Sequence, residues 1–391
     1  MKSNDSYLAS KPRYEVLDGL RGVAAIMVLL FHCLETYIPV FGTQHINHGY
    51  LAVDFFFVLS GFVIGYAYDD RWNRMSTWDF FKRRLVRLHP LVVAGTLLGA
   101  CLFFFAEGEN FPLIGTCDPW KFVLCLLMGL LMIPTGTGLD IRGWGETNSL
   151  NGPNWSLTLE YVGNILYAFL LRRLPTLVLG ILCVASAFLT MNLALNWDVF
   201  GVFSGPKYDV IGGWSLTPDQ LCIGFSRLLY PFLCGLVISR LLAKRMTQVC
   251  PSGSPLCMRG GFWWASLLLV VLFAMPQIGG KPGLADGLYQ VFAILVMFPL
   301  IVLIGAGSRA ADAGGAKWCE FLGNLSYPLY ITHFPLMYMQ MTWVSMHPNA
   351  PVWHHIVLNL GVVFVSIGVA WAFLKLYDEP IRVWLRKKLY R

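Results

Sequence analysis

We predict an all-α, polytopic integral membrane bundle of about ten transmembrane helices, because three observations agree. Hydrophobic residues make up 56% of the 391-residue chain and charged residues only 13%, about half of the charged share of an average soluble protein. Ten apolar stretches are long enough to span a bilayer. Loops that carry Lys and Arg alternate with loops that nearly lack them.

The apolar stretches follow one another along nearly the whole chain, separated by loops with Gly, Pro and charged residues. A further stretch, 119–135, is shorter and follows a polar segment, so we expect it to be re-entrant or interfacial on the outer side. The ten predicted spans lie near residues 17–38, 50–68, 85–106, 155–172, 176–195, 219–239, 262–278, 287–306, 321–343 and 352–376.

The distribution of Lys and Arg orients the predicted helices. The loop "DDRWNRMSTWDFFKRRLVR" between the second and third spans is strongly basic, and basic groups also follow the fourth, sixth, eighth and tenth spans. Because cytoplasmic loops carry an excess of Lys and Arg, we expect both termini in the cytoplasm. Residues 1–16 would then be a cytoplasmic leader, 17–378 the membrane domain and 379–391 a basic cytoplasmic tail.

Arg21 and His32 are unusual residues for the first span. A charged group inside a spanning helix is costly, roughly 2.5–3.5 kcal/mol for Arg at the centre, and is a candidate for function. The two residues are eleven positions apart, about 16.5 Å of rise and about 20° past three full turns, so they share a helix face. Taken singly, they are explained as a snorkelling anchor and an interior histidine. Together they indicate a polar channel from the cytoplasm to a titratable base deep in the bilayer.

Two further spans carry polar residues. Asp54 lies in "VDFFFVLSGF" and needs a cation or a hydrogen-bond donor, whereas close helix packing is the simpler explanation for Ser60 and Gly61. Ser156 and Glu160 in "NWSLTLE" are four residues apart and share a helix face. The alternative for Glu160 is an interfacial glutamate beside the aromatic belt.

Six motifs in order resemble those of the acyltransferase 3 family of membrane O-acyltransferases. They are Arg-x10-His, "VDFFFVLSGF", "FFKRRLVRLHP", "NWSLTLE", "SRLLYPFLCG" and "LSYPLYITHFPL", and they span essentially the whole chain. The resemblance implies ten spanning helices. It also implies transfer of acyl groups, commonly acetyl from acetyl-CoA, to hydroxyls of surface polysaccharides, lipid-linked glycans or natural products. The membrane domain, residues 17–378, would then be the acyltransferase domain.

The resemblance also carries functional positions over to this sequence. It implies roles for an arginine and a histidine in the first helix, a serine–glycine pair in the second, a basic stretch entering the third, a WSL-x-x-E element, and a late Ser-Tyr and His. These positions are Arg21, His32, Ser60, Gly61, Arg83, Arg84, Arg87, Trp155, Ser156, Glu160, Ser326, Tyr327 and His333.

The predicted chemistry uses no bound cofactor and no metal, and takes acyl-CoA, by resemblance acetyl-CoA, as co-substrate. We expect Arg21 and the Arg83–Arg87 group to bind the phosphates of the donor, because guanidinium groups bind phosphate bidentately. His32 is the expected base, since histidine titrates near neutral pH. It would act on the acceptor directly or take the acyl group first. Asp54 or Glu160 would orient the imidazole or bind sugar hydroxyls.

The expected partners are the acyl-CoA donor, a saccharide or lipid-linked glycan acceptor and membrane lipids, in a bacterial inner membrane. We expect no nucleic-acid partner, because the net charge of +7 is explained as a topology signal. The alternative function is a proton-coupled transporter that uses buried His and Asp, which predicts two related halves with paired broken helices. A receptor or structural membrane protein would leave the shared face of Arg21 and His32 unexplained.

Overall fold

The computed structural model describes Lys11 and residues 13–38, 46–245, 258–279, 283–310 and 312–389. Within these ranges the chain is mainly helical. We number the helices and the two short strands in chain order: α1 Glu15–Glu35, α2 Ala52–Tyr68, α3 Thr77–Leu102, α4 Pro119–Leu130, α5 Asn154–Phe169, α6 Thr176–Ala194, α7 Pro218–Arg245, β1 Met258–Arg259, α8 Gly261–Ala274, α9 Leu284–Phe292, α10 Phe298–Ala306, β2 Ser308–Arg309, α11 Ala313–Met346, α12 Val352–Ala372 and α13 Glu379–Leu389.

The predicted all-α membrane architecture is confirmed. β1 and β2 form a two-residue parallel pair. Seven helical segments of the described part are long and apolar enough to cross a membrane, by length and composition, and the predicted number of about ten crossings stays a prediction. These segments are Glu15–Glu35, Gly49–Tyr68, Thr77–Leu102, Thr176–Ala194, Pro218–Ala243, Leu284–Ala306 and Val352–Leu389.

The segment that was expected not to cross contains only a short helix. α4 has 12 residues, a rise of about 18 Å, against a hydrocarbon core of about 30 Å. Its Trp120, Val123 and Leu127 side chains are exposed. This geometry agrees with an interfacial or re-entrant segment.

Two of the segments contain a π-helical turn. Residues Ala293–Met297 join α9 to α10, and Phe373–Asp378 join α12 to α13. Such turns widen a helix locally and are frequent at functional sites. α13 therefore continues directly from α12, as the last part of one 38-residue helical segment.

The closest helix pair consists of α1 and α11, and small residues allow it. A Cβ on Gly22 of α1 would overlap the backbone of Leu322 in α11, and a Cβ on Gly323 would overlap Asp18 of α1. Because glycine has no side chain, the two backbones can approach closely. The first helix is thus held against the helix that carries the late Ser-Tyr and His motif.

α2 and α7 form the second closely packed pair. A Cβ on Gly61 would overlap the carbonyl group of Phe232, and a Cβ on Gly235 would overlap that of Val58. The structure therefore supports helix packing as the role of Gly61.

The two ends of the bundle are distinguished by their residues. Lys11 pairs with Asp70 at 2.7 Å, so the start of α1 and the loop after α2 lie at one end. We call this the Arg21 end, and the opposite end, where α1 stops at Glu35, the His32 end. Most of the predicted leader, 1–10 and 12, and the last two residues of the predicted tail lie outside the described residues.

Candidate active site

Arg21 is the first member of a row of polar side chains along the α1–α11 interface. Its Nε donates to Ser326 Oγ at 2.8 Å and its Nη2 donates to the Gly323 carbonyl oxygen at 3.1 Å. Asp18, one turn earlier, lies 3.3 Å from the same guanidinium. The arginine is therefore held against α11, and about a quarter of its side chain remains accessible.

His32 lies at the other end of the same interface and contacts a carboxylate. Its Nδ1 is 2.8 Å from Glu35 Oε2. Because an ionised carboxylate only accepts, Nδ1 donates and Nε2 keeps its lone pair. A carboxylate in this position orients an imidazole and stabilises the imidazolium that forms when Nε2 takes a proton.

The first helix ends earlier than the predicted span. The predicted span ran to residue 38, whereas α1 ends at Glu35, three residues after His32. His32 therefore lies one turn before the end of α1, and a fifth of its side chain is accessible. The predicted depth of His32 in the bilayer stays a prediction.

His333 of α11 stacks on His32, with ring centroids 5.6 Å apart and an angle of 29° between the planes. Its Nδ1 faces the carbonyl oxygens of Leu329 and Tyr330 at 3.1 and 2.9 Å. Since carbonyls only accept, this nitrogen carries the proton. Its Nε2 is buried and has no hydrogen-bond partner in the described part of the chain.

Tyr330 lies between the two ends and connects α11 to α5. Its hydroxyl group shares a hydrogen bond of 2.7 Å with Ser156 Oγ. One turn further along α11, Pro335 cannot donate to the Ile331 carbonyl oxygen, and Asn151 Nδ2 binds this oxygen instead at 2.8 Å. The "NGPNWSL" segment is thus fixed against the helix that carries His333.

Glu160 is not in contact with His32. Its Oε1 accepts from Arg84 Nη2 at 2.6 Å and from Ser60 Oγ at 3.1 Å. The structure thus pairs Arg84, which we expected to bind a donor phosphate, with Glu160, which we expected to orient the imidazole or bind sugar hydroxyls. Their charges compensate each other, because an Arg with so little exposure, 6% of its side chain, requires a partner.

Asp54 is also paired away from His32. It is fully buried, and both of its oxygens lie within 3.3 Å of Arg227, with the shortest contact at 2.7 Å to Nη2. Arg227 also donates to the Tyr50 carbonyl oxygen and lies 5.3 Å from the Trp155 ring. The expected cation for Asp54 is therefore found. Neither Asp54 nor Glu160 contacts the imidazole, which Glu35 contacts instead. The alternative that they bind sugar hydroxyls stays a prediction.

The remaining predicted residues lie towards the Arg21 end or contact the backbone. Tyr327 donates to the Leu88 carbonyl oxygen at 2.8 Å and so ties α11 to α3. Arg83 is half-buried on α3. Arg87 is exposed on α3 and lies near enough to Arg21 and Arg84 for their charges to act on it.

Two residues of the site were missed in the sequence. Glu35 is three residues from His32, and this i,i+3 spacing could have indicated the contact. Arg227 lies in "SRLLYPFLCG", a motif that was noted without a role for its arginine. Its partner Asp54 is 173 positions away, so no local spacing predicts the pair. Within the described residues, no group of three His, Cys, Asp or Glu could hold a metal ion.

Comparison with known proteins gives related sequences and no related solved structure. The model of the acyltransferase 3 family, described as an acyltransferase domain, matches residues 14–375. Protein 2 in the picA locus of Rhizobium radiobacter is 36% identical over 163 residues, which cover 40% of this chain and 81% of that protein. No solved structure matches at a significant level.

Two relatives match along nearly the whole chain. The O-acetyltransferase OatA of Staphylococcus aureus (strain NCTC 8325 / PS 47) is 38% identical over 392 residues, covering 95% of this chain and 58% of the relative. The peptidoglycan O-acetyltransferase OatA of Listeria monocytogenes is 22% identical over 393 residues, covering 94% and 55%. This chain thus spans a little over half of the length of these two relatives. The resemblance seen in the six motifs is confirmed: the chain belongs to the acyltransferase 3 family and is a membrane acyltransferase.

Proposed function

We propose that this protein transfers an acetyl group from acetyl-CoA to a hydroxyl group of a surface or lipid-linked saccharide. The observation that carries the proposal is the His32–Glu35 pair, which lies on the same face of α1 as Arg21. Both OatA relatives are O-acetyltransferases, which supports an acetyl group, and the Listeria monocytogenes relative is a peptidoglycan O-acetyltransferase, which supports a glycan acceptor.

The site supports a division of roles along α1. The donor phosphates bind at the Arg21 end, where Arg21 and Arg87 are accessible, and the thioester extends along the α1–α11 interface towards His32. This end is the cytoplasmic one in the proposed orientation, because the basic loop between α2 and α3 lies there.

His32 acts as the general base. The acceptor oxygen attacks the thioester carbonyl carbon and forms the ester C–O bond, while the C–S bond breaks. His32 Nε2 takes the hydroxyl proton and returns it to the departing thiolate of CoA. Glu35 stabilises the imidazolium in between, as a carboxylate does beside a catalytic histidine.

The variant His32→Ala tests the proposal. Mass spectrometry of surface glycans measures how much acetyl group has been transferred from acetyl-CoA. We expect transfer to fall by about 10²- to 10⁴-fold, the usual contribution of a positioned acid–base group, while the protein accumulates normally. His347→Ala is the matched control, because His347 is exposed at the end of α11 and contacts Trp343. Wild-type transfer by His32→Ala would overturn the assignment of the base.

The transporter alternative gains no support from these observations. It requires two related halves with paired broken helices, and the family match identifies the chain as an acyltransferase over residues 14–375. The buried Asp54, which suggested a proton pathway, is neutralised by Arg227 at 2.7 Å.

A further inference from the structure

The C-terminal helix α13 presents an arginine to the Arg21 end of the bundle. α13 follows the π-helical turn Phe373–Asp378 without a break and packs on α3, the helix that carries Arg84 and Arg87. Arg382 forms an ion pair with Asp378, one turn earlier. Asp378 is fully buried, whereas about a quarter of the Arg382 side chain is accessible.

The Asp378 contact leaves part of the Arg382 guanidinium without a partner. The carboxylate is paired through Nη2, and Nε is buried without a hydrogen-bond partner in the described part of the chain. A guanidinium has five N–H donors in a rigid fork, so this geometry fixes the fork on one side and leaves donors for a second group. Asp378 is a positioning residue in this arrangement.

Several arginines from distant parts of the chain meet at this place. Arg382 is near enough to Arg13, Arg21 and Arg386 for their charges to act on it, and it is also near Tyr327 of α11. Arg87 is in turn near Arg21. The first helix, the third helix and the last helix therefore each bring a cation to the Arg21 end.

Three carboxylates near these arginines are already paired. Asp18 lies against Arg21 and Asp378 against Arg382, and Glu160 is taken by Arg84. Arg87 forms no ion pair within 4 Å in the described residues, and the carboxylate whose charge acts on it, Asp18, also lies against Arg21. Like charges this close raise the energy of the site unless an anion lies between them. A ligand with several negative groups fits this arrangement.

We propose that Arg382 binds a phosphate group of the donor nucleotide, so that α13 forms part of the donor site. This inference rests on the proposed function, because it takes coenzyme A as the donor. Coenzyme A carries a pyrophosphate and a ribose 3′-phosphate, and Arg binds phosphate oxygens bidentately. The accessible part of Arg382, at the same end of the bundle as Arg21 and Arg87, provides such a fork.

The experiment measures the Kd of coenzyme A for the full chain in nanodiscs by titration calorimetry. Arg382→Gln should weaken binding by about 10- to 100-fold, because a hydrogen bond to a charged group contributes about that factor. Lys387→Gln is the matched control on the same helix. Lys387 is exposed and lies about 140° around α13 from Arg382. The Kd of coenzyme A for Lys387→Gln should therefore stay within about 2-fold of the wild-type value.

Arg382→Lys separates binding from folding. It keeps the charge that pairs with Asp378 and removes the fork, so the protein should fold and still bind coenzyme A more weakly than wild type. If Arg382→Gln does not fold, Arg382→Lys decides. The titration is repeated with 3′-dephospho-coenzyme A. If Arg382→Lys no longer weakens binding of this ligand, Arg382 binds the 3′-phosphate. If it still weakens binding, Arg382 binds the pyrophosphate. Either result supports the proposal.

Failure of this inference and failure of the proposed function give different results. A wild-type Kd in folded Arg382→Gln or Arg382→Lys overturns the role of Arg382, and wild-type acetyl transfer would leave the function intact. Conversely, wild-type protein that binds coenzyme A through Arg382 but transfers no acetyl group overturns the proposed function and keeps the binding site.

Discussion

The two ends of the α1–α11 interface are built in opposite ways. At the Arg21 end, arginines of α1, α3 and α13 lie near enough for their charges to act on one another, and their side chains are partly or fully accessible. At the His32 end, ordered loops close the bundle. Asp140 accepts from the backbone N–H groups of Arg142, Gly143 and Gly145 at 2.7–3.0 Å.

The loops at the His32 end are held by buried polar contacts with α11. Tyr338 donates to Glu146 Oε2 at 2.7 Å and accepts from the Gly152 N–H group at 3.0 Å. The Arg142 guanidinium lies 3.6 Å from the Tyr338 ring. The difference teaches that arginines are left accessible where a charged donor is expected, whereas charged groups are paired where the proton transfer is expected.

The largest expected difference between the two ends is in their accessibility to a labelling reagent, which gives an all-or-none result. Asn73→Cys and Thr137→Cys, in a background without native thiols, should react from opposite sides of the membrane with an impermeant thiol reagent. Both positions are exposed. Two serines close to these positions are less suitable for labelling, because Ser149 is 2% exposed and the side chain of Ser76 caps α3. Labelling of both cysteines from one side would show that the ends do not face opposite compartments.

A smaller effect is expected from Glu35→Gln at the His32 end. Glutamine keeps an acceptor for His32 Nδ1 but loses the charge that stabilises the imidazolium. About 40% of the Glu35 side chain is exposed and water screens its charge, so kcat should fall by about 10- to 100-fold, less than for loss of the base. The KM for acetyl-CoA should not change. Glu109→Gln, at an exposed position, is the control, and an unchanged kcat in Glu35→Gln would remove Glu35 from the mechanism.

The smallest effect concerns the stability of the loops at the His32 end. Burial raises the pKa of Glu146 from 4.5 to about 7, against the opposing hydrogen bond from Tyr338 and the charge of Arg142. The folded protein therefore holds a proton that the unfolded chain releases near pH 4.5. The free energy of unfolding should fall as pH rises from about 4.5 to about 7, by roughly 3 kcal/mol, and then level off.

Glu146→Gln tests this pH dependence, because the amide does not ionise and its oxygen still accepts from Tyr338. The thermal midpoint of the variant should exceed that of wild type at pH 8 and vary less between pH 5 and 7. Glu109→Gln is again the control. The same pH dependence in wild type and Glu146→Gln would contradict the buried, protonated state of Glu146.

The sequence predicts local features of this molecule well. The shared face of Arg21 and His32 follows from helix geometry, and both side chains do face α11. The membrane class follows from composition. The Glu35 contact was within reach of the same argument, since an i,i+3 pair on a helix is local.

Contacts between distant segments could not be predicted in this way. Asp54 pairs with Arg227 across 173 positions, and Glu160 pairs with Arg84 across 76. Helix periodicity tells which face of a helix is polar, but the partner of that face depends on the packing of the bundle. For this reason the sequence assigned two carboxylates to His32 that the packing directs to arginines.

The comparison between the two ends is tested most directly by steady-state kinetics of Arg21→Lys and His32→Ala in nanodiscs, with donor and acceptor varied in turn. Lysine keeps the charge of Arg21 and loses its bidentate geometry. Arg21→Lys should raise the KM for acetyl-CoA by roughly 10- to 100-fold and leave the acceptor KM nearly unchanged. His32→Ala should lower kcat at every donor concentration. If excess acetyl-CoA fails to rescue Arg21→Lys and the acceptor KM rises instead, the donor does not bind at the Arg21 end.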